Sequence, residues 1–98
     1  MPSFLLSGNL GKLLPGEGAA WEMVTPVSLT LHAMEGGEFL ISDEDFALEG
    51  SGATPMEAVQ SYVAALLRYY QGIESSAPGN PDDLVELTEL QLYLRRVG

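Results

Sequence analysis

A chain of 98 residues, 46% of them apolar, is long enough for one domain with a modest core. Fourteen acidic side chains against four basic ones give a formal net charge of -10. That balance excludes nucleic-acid binding through clustered cations, disfavours an anionic membrane surface and favours a basic partner. With no cysteine in the chain, disulfides, thiolate nucleophiles and cysteine-held metal centres are excluded, and the composition suits the cytoplasm.

The first eight residues carry no basic stretch, and their apolar run is too short for a signal sequence. No segment approaches the roughly 20 apolar residues of a membrane span. Residues 1–20 are expected to form an irregular arm, because Gly8, Gly11, Pro15, Gly16 and Gly18 interrupt every apolar run. Within them, residues 4–6 are a possible edge strand. From Trp21 onward the chain is expected to be ordered.

Val27, Leu29, Leu31 and Ala33 alternate with Ser28, Thr30 and His32, the period of a half-buried strand. Glu35-Gly36-Gly37 supplies a hairpin turn, and residues 38–42 the return strand. Asp43-Glu44-Asp45 is a second polar turn, followed by a third short strand over residues 46–50. The glycines of Gly50-Ser51-Gly52 release that strand into a tight turn.

Next comes a well-marked helix start. Thr54 is the N-cap, Pro55 sits at the first helical position, and Glu57 completes a capping box. Val59, Tyr62, Val63, Leu66, Tyr70 and Ile73 recur at spacings of three and four, forming one apolar stripe. Gly72 predicts fraying or a stop near the helix end. Residues 74–80 form a hinge-like linker, and Asn80-Pro81-Asp82-Asp83 caps a second helix. Leu84, Leu87, Leu90, Leu94 and Val97 make its stripe, with Arg95 and Arg96 in the last turn. The expected fold class is α+β: an antiparallel three- to four-stranded sheet (β-β-β-α), one long helix packed on it and a short C-terminal helix. Its divisions are an arm at 1–20, a core at 21–74 and a linker plus helix at 75–98.

Few residues could carry chemistry. Asp43 and Asp45 could offer carboxylate oxygens to a hard cation, but the spacing is not that of a calcium loop. His32, the only histidine, has no serine–acid spacing around it. Gly50-Ser51-Gly52 lacks the lysine and third glycine of a phosphate loop, and Glu49 and Glu57 flank it. No nucleophile–base pair can be assembled, so no enzyme and no cofactor is expected. Trp21, Tyr69, Tyr70, Val85 and Leu92 are the candidate contacts with a partner or a second subunit; aromatic anchors and off-stripe apolar residues serve that purpose.

The segment Glu49-Gly50-Ser51-Gly52-Ala53-Thr54-Pro55-Met56-Glu57-Ala58, after the strand pair of residues 27–41 and before Tyr69-Tyr70, resembles the HicB-like antitoxin-type domain of bacterial HicA–HicB pairs. It stands where that family has a G-x-G-x-T-x-x-E-A segment opening its helix, and the likeness covers roughly residues 27–74. The resemblance implies a partly RNase H-like fold without nuclease activity, a homo-oligomer (dimer or higher), and neutralisation of a small basic HicA-like toxin. Residues 75–98 stand where such antitoxins append a DNA-binding domain, and the "pelpg" stretch is missing. Operator binding is therefore not expected, and with the acidic charge no direct nucleic-acid or membrane contact is expected. The alternative function is a small-molecule or divalent-metal-binding domain at Asp43, Asp45 and His32.

Overall fold

The computed structural model describes residues 2–97. Its strands are β1 (Ser3–Asn9), β2 (Trp21–Ala33), β3 (Phe39–Asp43), β4 (Glu49–Gly52) and β5 (Leu94–Arg96), and its helices α1 (Pro55–Ser76) and α2 (Pro81–Gln91). The strands form one antiparallel sheet in the order β1-β2-β3-β4, with β5 added to β2. The α+β class, the long helix and the short second helix are as expected.

The organising strand is β2. One of its edges takes β1, with Phe4 opposite Leu29 and Leu6 opposite Val27. Its other edge is shared: Leu29 to Ala33 pair with β3, and Trp21 to Met23 pair with β5. Pro26 lies in the interval where the β1 register is interrupted, between the Val27 and Met23 pairs. A residue lacking an N–H is tolerated at such a break in the ladder.

The pleat sends Leu6, Val27, Leu29 and Ile41 to one face, where all four are buried. There α1 covers them with Val59, Tyr62, Val63, Leu66, Leu67 and Tyr70. Full burial of a leucine such as Leu66 or Leu67 stabilises by roughly 1.5–3 kcal/mol. The opposite face carries Ser28, Thr30, His32, Ser42 and Ser51; antiparallel sheets tolerate one wet face.

The cap reading of α1 holds in detail. Thr54 Oγ1 accepts from the Glu57 N–H at 3.1 Å, and Glu57 Oε2 accepts from the Ala53 N–H at 3.1 Å. At the α2 start, Asn80 Oδ1 accepts from the Asp82 and Asp83 amides. Helix α1 passes through Gly72 and ends at Ser76, where the Ser76 hydroxyl donates back to the Gly72 carbonyl. The hinge-like linker is therefore only the 3-10 turn Ala77–Gly79.

Three expectations are corrected. The N-terminal arm is built into the fold: the edge strand expected at 4–6 runs from Ser3 to Asn9 and pairs with β2 at every residue but Ser7, the 3-10 turns Leu10–Lys12 and Glu17–Ala20 follow it, and Leu6 and Leu10 are buried. Its glycines permit close packing; a Cβ on Gly11 would stand 2.7 Å from the Ala19 Cα. The third strand is Glu49–Gly52, not 46–50, because the Asp43 carboxylate bends residues 44–48 into a turn. The last helix stops at Gln91, so Leu94 and Val97 are not on its stripe. Leu94 instead pairs with Met23, and the Val97 N–H donates to the Ala20 carbonyl. Since Leu6, Leu10, Leu90 and Leu94 belong to one cluster with the sheet and α1, the 1–20 and 75–98 segments are parts of a single core.

Candidate functional site

Two of the five expected contact residues are structural. Trp21 and Tyr70 are 3% and 4% exposed and meet edge to face, with ring centroids 4.9 Å apart. The Arg96 guanidinium lies 4.6 Å from the Trp21 ring centroid and pairs with Glu74 through two hydrogen bonds of 2.6 and 2.7 Å. That hydrogen bonding holds the Glu74 carboxyl below its ordinary range. These aromatic rings anchor β5 to β2 and α1, and so leave no exposed face for a partner. Arg95 pairs with Glu22 across the same strands at 2.6 Å. Neither arginine lies in a helix.

Tyr69 is half-buried on α1 and faces α2. Loss of solvent raises its pKa first, and the neighbouring carboxylates of Glu86, Asp83 and Glu89 raise it further. The α2 surface thus carries a local negative field.

The other two candidates are open to solvent. Val85 is 62% and Leu92 65% exposed, and Leu84 beside them 54%. Leu84 and Val85 on α2, and Leu92 at its C-cap, stand about one turn from Asp82, Thr88 and Glu89, all exposed. The result is an apolar stripe rimmed by carboxylates. Isolated exposed apolar residues are ordinary, but Leu84 and Val85 on α2 with Leu92 at its C-cap leave an apolar side that no other element covers among the described residues.

The metal candidates separate. Asp43 Oδ1 accepts from the Phe46 amide at 2.9 Å and the Leu48 amide at 3.4 Å, while Oδ2 accepts from the Tyr62 hydroxyl. Burial, then the bonded Asp43 carboxylate, drives the Tyr62 phenol far above its ordinary range. Asp43 therefore ties the β3–β4 turn to α1, and Asp45 is an exposed turn residue. Among the described residues no three histidine or acidic side chains gather closely enough to hold a metal ion.

His32 lies on the open face of the sheet. Its Nε2 is 3.0 Å from the Ser42 hydroxyl, a diagonal cross-strand contact that residue spacing did not signal. A serine–histidine pair needs an orienting acid and an oxyanion site to act as a nucleophile. Here the pair fastens β2 to β3.

Gly50 and Gly52 lie within β4 and face α1. A Cβ on Gly50 would fall 2.1 Å from the Tyr62 amide nitrogen, and one on Gly52 2.5 Å from the Glu57 Cβ. These glycines let the strand touch the helix; they do not loosen a turn. Helix α1 with its acidic and basic residues is no membrane span, and among the described residues no helix is long and apolar enough to be one.

Comparison with protein-family models, curated proteins and solved structures found no significant match for this chain.

Proposed function

We propose that this protein is a non-enzymatic, cytoplasmic interaction module of HicB-like antitoxin type that sequesters a small basic protein. The observation that carries the proposal is the surface of α2 and its C-cap, where Leu84, Val85 and Leu92 stand exposed among acidic residues on a chain of net charge -10. A basic partner with a few exposed apolar side chains meets both requirements there: charge steers the encounter and apolar burial holds the complex. The meander, the Gly-x-Gly strand and the capping box at Thr54 support the same family reading. Among the described residues only two ion pairs form, so most acidic side chains remain available to such a partner.

Co-expression with the small basic protein encoded beside this chain tests the reading. The two are expected to co-purify, and the double variant Val85→Lys/Leu92→Lys is expected to lose the partner while keeping its circular dichroism. Absence of any such neighbour, or capture that the double variant leaves intact, overturns the reading.

A further inference from the structure

Among the described residues the outer edge of β1 has no partner in the sheet. It is seven residues long, Ser3–Asn9, and contains no charged side chain. Exposed sheet edges are ordinarily blunted by lysine, proline or an early bulge, because their free N–H and C=O groups template further pairing. Between Ser3 and Leu6 none of these devices is present, and the register irregularity falls only at Ser7.

The pairing pattern shows which groups are free. The Leu31 N–H donates to the Pro2 carbonyl, so residues 2 and 31 bond directly. Antiparallel ladders alternate, so Phe4 and Leu6 also turn their backbone groups toward β2. Ser3, Leu5 and Ser7 therefore present theirs to solvent. Beside this edge lies a mostly apolar groove of about 320 Å³, with Phe4, Leu5, Leu13, Met56 and Val59 in its lining and Lys12 its one charged member. Leu5 and Met56 are 65% and 54% exposed.

Charge selects the occupant. None of the 14 acidic residues lies in the first sixteen positions, where Lys12 is the one charged side chain. On a molecule of net charge -10, the β1 edge is thus a place where a second copy can approach with little local repulsion. A basic partner gains nothing from charge at that edge.

We propose that β1 pairs antiparallel with the β1 of a second copy about a two-fold axis at Leu5. Leu5 lies opposite its own mate, and Ser3 opposite Ser7 of the other copy. This register bonds every free group from Ser3 to Ser7, which a shift of two residues would not do. It merges two sheets into one and brings the two grooves together, closing the edge by an isologous contact. It stands independently of the basic partner proposed above.

Sedimentation or light scattering on the purified chain is expected to give twice the 10.5 kDa chain mass at micromolar concentration. Leu5→Lys and Leu5→Glu are each expected to be monomeric, because like charges would face each other across the axis. An equimolar mixture of the two is expected to recover the dimer, since lysine then faces glutamate. Leu5→Pro removes only a solvent-facing N–H from the folded chain and should also be monomeric. The Val85→Lys/Leu92→Lys variant should remain dimeric. A monomeric wild type, a dimer that survives both Leu5 charge variants, or a mixture that fails to recover the dimer overturns the proposal.

Discussion

Replacing Gly50 by alanine is the sharpest test of how β4 meets α1. The added Cβ would lie 2.1 Å from the Tyr62 nitrogen, 2.6 Å from the Tyr62 Cα and 2.7 Å from the Ala58 carbonyl oxygen. All three are backbone atoms of helix α1, so no side chain can rotate away. Overpacking a core costs typically about 1–3 kcal/mol, and contact with rigid backbone places this case at the upper end, about 3 kcal/mol. For a domain of this size each kcal/mol moves Tm by about 4–8 °C, so Gly50→Ala should lower Tm by about 12–24 °C. Gly72→Ala is the matched control. Gly72 lies within α1 with open space where a Cβ would go. Alanine there should stabilise by about 1 kcal/mol, raising Tm by about 4–8 °C. Thermal and urea unfolding by circular dichroism measure both. A Gly50→Ala protein within 1 kcal/mol of wild type, or a Gly72→Ala protein less stable than wild type, would refute the close-contact account.

Other measurements probe the Asp43 tie and the surface charge. Asp43→Ala should destabilise by about 1–3 kcal/mol, because it strands the Tyr62 hydroxyl and frees the turn amides; Tyr62→Phe should cost less, about 1 kcal/mol, since Asp43 keeps both amide donors. As pH rises past 10.0, the ordinary tyrosine value, the unfolded chain ionises at Tyr62 while the folded one does not. The folded state then loses stability relative to Tyr62→Phe, by up to about 1.4 kcal/mol per pH unit, a difference that paired denaturant titrations would detect. Salt should act in opposite directions on the two proposed contacts. Raising ionic strength tightens a dimer of like-charged copies and weakens binding of a basic partner, which sedimentation and calorimetry across a salt series would show.

Where a local rule suffices, this fold is legible in its sequence. Thr54 and Asn80 mark helix starts through capping chemistry, and the alternation after Val27 marks the central strand. What escapes notice depends on partners distant in the chain. Leu94 has the spacing of a helix residue after Leu87 and Leu90, yet it pairs with Met23, and nothing near Leu94 announces that ladder. Gly11 and Gly18 resemble loop breakers because their packing partners, Ala19 and Leu10, cannot be seen without the fold. The same holds for Trp21 and Tyr70. A tryptophan and a tyrosine apart in sequence suit an interface equally well until their rings are found in contact. Val85 and Leu92 were legible as off-stripe residues, and they are exposed.

The three-residue strand β5 joins the last residues of the chain to the start of β2, and the chain's one tryptophan sits at that junction under Arg96 and against Tyr70. Short terminal strands are the first units to open by local unfolding. Each opening here would uncover Trp21 to water and remove a cation from its ring. The molecule therefore carries its own optical gauge of closure: indole emission tracks the seating of the last strand, separately from the helical signal that reports α1 and α2.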